Sequence, residues 1–138
     1  AQLRQLGFAL LRSKKVGFHH GRVVKVDALT SCHGRAGFSR PPLVENAVRY
    51  TPAPGIVIVS CGRQDGRSFL RVADSGPGIP QEMQERVFER FFRLASASQP
   101  GSGLGLSIVA RIADRHRAQI QLGQGIGGRG LSVTLTLP

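Results

Sequence analysis

The residues Asp74-Ser75-Gly76-Pro77-Gly78-Ile79-Pro80 cannot form regular structure, because two glycines and two prolines interrupt any helix or strand. They follow residues 68–73, which are typical of a strand, so Asp74 places a carboxylate at a strand end. A carboxylate there can accept a hydrogen bond from an exocyclic amine, and the glycines let the backbone approach a flat base closely. Taken alone, a capping aspartate in a tight turn explains the same residues.

Strands and helices are predicted on both sides of this segment from the spacing of apolar residues. Asp65-Gly66 marks a hairpin turn, and Thr51-Pro52 ends a helix because proline disfavours a helical conformation in the preceding residue. The expected elements are strands at 23–26, 56–61 and 68–73, a helix from Pro41 or Pro42 to about Thr51, helices at 81–92 and 104–115, a glycine-rich loop at 95–103, and a closing hairpin of 119–122 with 131–137.

The composition excludes several classes of protein. The 138 residues suit one domain, and 19 lysines and arginines against 8 aspartates and glutamates give a net charge of +11. The basic residues are scattered and aromatic residues make up only 6%, so no nucleic-acid partner is expected. No apolar run reaches the roughly 18–20 residues of a membrane helix, so no membrane contact by this segment is expected. Cys32 and Cys61 match no metal or disulfide framework, which favours a reduced, cytoplasmic setting.

The predicted helix after Pro42 carries Asn46 and Arg49, which are three residues apart and therefore share one face. An amide oxygen is a hard ligand that suits Mg²⁺, and an arginine suits phosphate oxygens. A solvated polar helix face would explain the same two residues.

Gly101-Ser102-Gly103-Leu104-Gly105-Leu106 opens the predicted helix at 104–115. Free backbone N–H groups and the positive end of a helix make such a segment a cradle for phosphate. The segment is neither a Walker motif, which ends in Gly-Lys-Ser/Thr, nor a Rossmann fingerprint, which follows a strand early in a β-α-β unit. A glycine-rich loop alone is a weak signal.

In combination and order, these segments resemble the sequence boxes of bacterial sensor histidine kinases, which belong to the GHKL superfamily. Glu45-Asn46-Ala47-Val48-Arg49-Tyr50-Thr51-Pro52 resembles their N box, and Asp74 to Pro80 resembles their G1 box. Phe88-Glu89-Arg90-Phe91-Phe92-Arg93 is similar to the F box, and residues 101–106 are similar to the G2 box. The resemblance covers about residues 43–138.

The resemblance implies a Bergerat fold, an α/β (α+β) two-layer sandwich with helices on one face of a mixed β-sheet. It divides the chain into a divergent N-terminal segment at 1–40, which could supply a first strand and helix of the same domain, and an ATP-binding catalytic domain at 41–138. Residues 81–102 would form a lid, which Phe91 would help to anchor. By position, Asn46 would bind Mg²⁺ and act with Arg49 in catalysis, and Asp74 would bind the adenine amino group. The implied ATP site comprises Asn46, Arg49, Tyr50, Asp74, Gly76, Gly78, Ile79, Arg90, Phe91, Arg93, Gly101, Ser102, Gly103, Leu104, Gly105 and Leu106.

The resemblance also implies partners outside this chain. His19-His20-Gly21, His33-Gly34-Arg35 and His116-Arg117 do not match the family's phosphoacceptor motif. The accepting histidine is therefore expected on a dimerisation domain of the same kinase, with a response regulator downstream. The full-length kinase is expected to be anchored in the inner membrane, with this segment on its cytoplasmic side.

The predicted reaction is phosphoryl transfer to histidine rather than ATP hydrolysis. Related ATPases have a water-activating glutamate one helical turn before the metal asparagine, and here Pro42 occupies that position. Two alternatives stay open: a nucleotide-binding remnant without kinase activity, and an anti-sigma-type serine kinase of the same fold.

Two stretches depart from the family pattern. Residues 27–40 do not resemble the family, and a frame-shifted or chimeric segment is one hypothesis for them. Arg117 stands where a glycine usually follows the helix, at a turn that requires a left-handed conformation. Replacing Arg117 by glycine is therefore expected to stabilise the domain.

Overall fold

The structure of the protein, a computed structural model, describes residues 15–19, 22–28, 42–94, 103 and 105–138. Within these residues the chain forms six strands and two helices. The elements are β1 Lys15–His19, β2 Arg22–Ala28, α1 Pro42–Tyr50, β3 Gly55–Gln64, β4 Arg67–Asp74, α2 Gly105–Arg115, β5 Gln119–Gln124 and β6 Leu131–Thr136. Single 3₁₀ turns occur at Gln81–Met83, Arg86–Phe88 and Ile126–Gly128.

The six strands form one mixed sheet in the order β1-β2-β3-β4-β6-β5. β2 pairs with β3 in parallel, and every other neighbouring pair is antiparallel. A parallel pair needs a crossover connection, and α1 lies between β2 and β3 in the chain. The sheet therefore includes strands from before and after the predicted domain boundary at residue 40, and the division there stays a prediction.

Both helices pack on the same face of the sheet. Alternate side chains of β3, β4 and β6 are buried, as expected for strands with one covered face. They join the apolar sides of α1 and α2 in a single core cluster. Its members include Leu43, Ala47, Val57, Val59, Cys61, Leu70, Val72, Leu106, Val109, Ala113, Val133 and Leu135. The predicted two-layer sandwich with a mixed sheet is confirmed.

Local signals explain where α1 begins and ends. Pro42 occupies the first turn, where its missing N–H costs nothing. The buried Thr51 hydroxyl donates to the Ala47 carbonyl oxygen at 2.6 Å, and Pro52 cannot continue the helix. The predicted end of this helix is confirmed, whereas a start at Pro41 lies outside the described residues.

Two predicted turns are also confirmed. Asp65 and Gly66 both have positive φ, 51° and 76°, which makes the two-residue turn that matches the twist of a hairpin. Arg117 has φ of 53° and follows α2, where the Ala118 N–H donates to the Ala113 carbonyl at 2.8 Å. This pattern is a Schellman end, with Arg117 in the left-handed position that favours glycine.

The helix predicted at 81–92 is wrong, since only two short 3₁₀ turns form there. Glu89 is extended, with φ −69° and ψ 145°, and Phe91 is left-handed, with φ of 64°. Either conformation stops a helix. The segment buries only Val87, so it lacks the packing that sustains short helices.

The predicted glycine-rich loop at 95–103 lies outside the described residues except for Gly103. Among the helices that the structure describes, none has the length and apolar character needed to cross a membrane.

Candidate nucleotide-binding site

A cavity of about 100 Å³ opens to solvent beside the ends of β4, α1 and α2. Its wall combines backbone, apolar and charged groups, as small-molecule sites do. The lining residues are Asn46, Arg49, Tyr50, Asp74, Pro77, Gly78, Ile79, Val87, Phe92, Arg93, Leu94, Gly103, Gly105, Leu106 and Leu131.

Asp74 is the buried carboxylate of this cavity, with 6% of its surface exposed. Its Oδ1 accepts hydrogen bonds from the backbone N–H groups of Gly76 at 2.9 Å and Leu131 at 3.2 Å. Burial raises the pKa of Asp74, and these two hydrogen bonds oppose that shift in part. Both of these hydrogen bonds go to Oδ1, and within the described residues none goes to Oδ2.

The turn after Asp74 is held against β3 on one side and against the end of α1 on the other. Ser75 exchanges two hydrogen bonds with the Ile56 backbone, at 2.9 and 3.0 Å. A β-carbon on Gly76 would lie 2.6 Å from the Tyr50 carbonyl oxygen and 3.1 Å from Asp74 Oδ1. Only glycine therefore fits between the end of α1 and the carboxylate.

Asn46 and Arg49 both line the cavity, which agrees with their predicted position on one face of α1. A β-carbon on Gly105 would lie 2.9 Å from Asn46 Oδ1, so the amide of Asn46 contacts the first residue of α2. The N-terminus of a helix carries partial positive charge and free N–H groups. A hard oxygen ligand, an arginine and a helix N-terminus thus meet in one place.

A second part of the cavity wall comes from Val87, Phe92, Arg93 and Leu94. Val87, Phe92 and Leu94 supply apolar surface. The Arg86 guanidinium lies 4.8 Å from the centre of the Phe92 ring, and the Phe91 N–H donates to the Gly103 carbonyl at 3.0 Å. This wall therefore consists of side chains from an irregular segment.

Most of the residues predicted for the site lie around the cavity, including Asn46, Asp74 and Gly105. Gly76 lies behind Asp74, between it and Tyr50. Arg90 and Phe91 are exposed and do not line the cavity, and Phe91 is 69% exposed. The predicted residues Gly101, Ser102 and Leu104 lie outside the described residues. The roles of all these residues toward a ligand stay predictions.

Sequence reasoning did not include some lining residues: Pro77, Val87, Phe92, Leu94 and Leu131. Pro77 lies inside the quoted glycine-proline segment, and Phe92 lies inside the segment that resembles an F box. Leu131 is 57 residues from Asp74 in sequence, so no local pattern could reveal their hydrogen bond.

The sequence of this chain is similar to those of known proteins. Residues 42–138 match the family described as "Histidine kinase-, DNA gyrase B-, and HSP90-like ATPase". The chain is 48% identical over 97 residues to the sensor protein kinase PmrB of Pseudomonas aeruginosa, covering 70% of this chain and 20% of PmrB. It is 43% identical over 99 residues to the sensor-like histidine kinase SenX3 of Mycobacterium tuberculosis, covering 70% and 24%.

The structure of this chain is also similar to solved structures. The mycobacterial sensor histidine kinase MprB has a TM-score of 0.62 and 36% identity, covering 70% of this chain and 65% of that one. Full-length ShkA in complex with AMPPNP has a TM-score of 0.60 and 33% identity, covering 70% and 20%. This chain spans about a fifth to a quarter of the length of PmrB and SenX3. Since the family match covers most of the chain, this protein belongs to the family of histidine kinase-, DNA gyrase B- and HSP90-like ATPases.

Proposed function

We propose that this chain is the ATP-binding catalytic domain of a sensor histidine kinase and donates the γ-phosphoryl group of ATP to a histidine on a dimerisation domain. The observation that carries the proposal is the shared cavity of Asp74 and Asn46, which lie on different elements. The family match over residues 42–138 and the sensor-kinase relatives support it.

The adenine base would lie at the Asp74 end of the cavity. Asp74 Oδ2 would accept a hydrogen bond from the exocyclic amine, while Oδ1 stays held by backbone N–H groups. Ile79, Val87 and Leu131 line the same cavity and would give the flat base apolar contacts.

The phosphates would lie between α1 and the N-terminus of α2. Arg49 and the free N–H groups at Gly105 suit phosphate oxygens. The described residues contain no cluster of three histidine, cysteine or acidic side chains, which fits an ion held mainly by phosphates, waters and one amide. Asn46 Oδ1 is the protein ligand that we assign to Mg²⁺, and the ion would neutralise charge on the phosphates.

Transfer to histidine fits the residues around Asn46 better than hydrolysis. Pro42, one turn before Asn46, has no basic or acidic group, and Glu45 is exposed outside the cavity lining. In the transfer, a bond forms between a histidine nitrogen and the γ-phosphorus, and the bond to the bridging oxygen breaks with its electrons leaving on ADP. This chemistry needs mainly positioning and charge neutralisation from the protein.

The proposal extends to the partners of a longer protein. The chain would act with the dimerisation domain of the same kinase and with a downstream response regulator. It would be the cytoplasmic part of a kinase anchored in the inner membrane. The catalytic domain would comprise residues 41–138, preceded by the divergent segment 1–40.

Two measurements on the 138-residue chain test the proposal. Isothermal titration with Mg-ADP should give a dissociation constant in the micromolar to millimolar range. With γ-labelled ATP and a supplied dimerisation domain, label should appear on that domain's histidine. Binding without transfer would instead identify a nucleotide-binding remnant, and a co-purified sigma factor or label on a serine would identify an anti-sigma-type serine kinase.

A further inference from the structure

The loop between β5 and β6, Gly125-Ile126-Gly127-Gly128-Arg129-Gly130, folds back on itself. The Gly125 N–H donates to the Gly130 carbonyl at 3.3 Å, and the Arg129 N–H donates to the Ile126 carbonyl at 3.2 Å. The first and last glycines are therefore neighbours. We call these six residues the glycine loop.

The glycine loop lies directly against Asp74. A β-carbon on Gly130 would overlap the Asp74 carbonyl oxygen and would lie 2.6 Å from Asp74 Oδ1. A β-carbon on Gly125 would overlap the same carbonyl oxygen. Leu131, which follows the loop, donates its N–H to Asp74 Oδ1 at 3.2 Å. The glycine loop therefore packs against Asp74 with no room for a side chain between them, and the residue after the loop holds Oδ1.

Within the glycine loop, Gly127 and Gly128 can be compared with Gly130. Gly127, Gly128 and Gly130 have similar positive φ angles of 65°, 73° and 73°. A β-carbon on Gly127 or Gly128 would have no atom within 4 Å, whereas one on Gly130 would strike Asp74. Backbone conformation alone accounts for glycine at the first two positions, and contact with the carboxylate adds a second requirement at Gly130.

We propose that Gly130 is a positioning residue for Asp74, through which the glycine loop sets the selectivity of the cavity for a purine that carries an amino group. This inference rests on the proposed function. Contact with Gly130 and the Leu131 N–H fixes Oδ1, and a fixed Oδ1 determines where Oδ2 can accept a hydrogen bond. A methyl group at residue 130 would strike both the carbonyl oxygen and Oδ1 of Asp74, and would therefore displace the carboxylate and misplace Oδ2.

The test compares Gly130→Ala with Gly127→Ala, which carries the same change at a similar positive φ. Each variant and the wild-type chain are titrated with Mg-ATP and with purine riboside triphosphate, which lacks the exocyclic amine. One hydrogen bond to a charged acceptor is worth about tenfold in affinity, so the wild-type chain and Gly127→Ala should prefer ATP by about that factor. Gly130→Ala should lose the preference and bind both nucleotides equally.

If Gly130 has only a structural role, Gly130→Ala should lower the affinity for both nucleotides by the same factor and keep the preference for ATP. That result would overturn the proposal. If the wild-type chain binds neither nucleotide, the proposed function itself has failed. Should Gly130→Ala not fold by circular dichroism, an ester oxygen in place of the Leu131 N–H removes one hydrogen bond to Oδ1 and adds no atom. That ester variant should lower the preference for ATP at least twofold, and an unchanged preference would overturn the proposal.

Discussion

The two walls of the cavity are built in different ways. The wall formed by β4 and α1 contains the buried residue Asp74, and backbone hydrogen bonds fix its carboxylate. In the wall formed by Val87, Phe92, Arg93 and Leu94, only Val87 is fully buried. Its Phe92 ring is only partly buried against the core, and the exposed Arg86 lies over that ring.

This difference indicates which wall is formed in advance of binding. Opening the first wall would separate α1 from β4 and expose fully buried core residues such as Leu43, Ala47 and Val72, whereas opening the second would expose one fully buried valine and partly buried phenylalanines. Changes in the first wall should therefore have large effects on nucleotide use, and changes in the second should have small ones. The predictions below test this order, starting with the largest effect.

Asn46→Asp should have the largest effect. The substitution adds a negative charge beside the phosphates and the start of α2, where the positive helix end favours anions from the ligand. Loss of one such positioned group costs about a hundredfold or more in rate. Labelled phosphate transfer to a supplied dimerisation domain measures it. Glu45→Gln, which changes an exposed neighbour on α1, is the matched control and should transfer at the wild-type rate.

Asp74→Asn should lower the affinity for Mg-ADP at least tenfold. The asparagine oxygen can replace Oδ1 and accept from Gly76 and Leu131, which leaves an amide NH₂ in place of Oδ2. That donor would face the donor of the adenine amine. Isothermal titration gives the affinity, and wild-type affinity in this variant would contradict the assignment of Asp74 to the base.

The same substitution should act in the opposite direction on stability. Burial raises the pKa of Asp74 above the 3.8 of the unfolded chain, so its stabilising contribution is full below 3.8 and is lost as the pH rises through the folded-state pKa. Without nucleotide at pH 7, Asp74→Asn should have a Tm equal to or above that of the wild-type chain. The advantage should shrink toward pH 4 in thermal unfolding, and an advantage that grows on acidification would refute this explanation.

Sequence reasoning succeeded where a few neighbouring residues fix the conformation. Asp65-Gly66 can make one kind of turn, Thr51-Pro52 ends α1, and Arg117 occupies a helix end whose geometry is standard. It failed at residues 81–92, where the predicted helix is prevented by the extended Glu89 and the left-handed Phe91. In that segment the Phe91 N–H donates to the carbonyl of Gly103, a residue further along the chain, and not to a carbonyl of a helical turn.

The candidate site also contains residues that local sequence identifies and residues that it does not. Asp74, Asn46 and Gly105 belong to short motifs, so local sequence was enough to select them. Gly130 and Leu131 reach Asp74 only because β6 pairs with β4, a contact between distant parts of the chain. The glycine loop was visible in the sequence, but its position against the carboxylate was not.

Arg117→Gly should stabilise the domain without changing nucleotide binding, because Arg117 follows α2 at the end far from the cavity. Relief of the left-handed arginine is worth about 1 kcal/mol. Thermal unfolding should show a Tm higher by a few degrees. Arg117→Ala removes the charge but keeps the unfavourable φ of 53°, so it should show no gain. A lower Tm for Arg117→Gly would contradict the explanation that the left-handed φ of Arg117 destabilises the domain.

Arg86→Ala should have the smallest effect, and it tests the second wall directly. The guanidinium lies 4.8 Å from the Phe92 ring centre, and such a contact at an exposed site is worth about 0.5–1 kcal/mol. If it holds the ring against the cavity, affinity for Mg-ADP should fall by about two- to fivefold. Arg86 also lies 3.8 Å from Glu89, with both side chains more than half exposed, so that ion pair should contribute little. Glu89→Gln removes the ion pair and keeps the ring contact, so it should bind as the wild-type chain does. If Arg86→Ala lost as much affinity for Mg-ADP as Asp74→Asn, both walls would be equally necessary for binding. That result would contradict the inference drawn from the difference between the two walls.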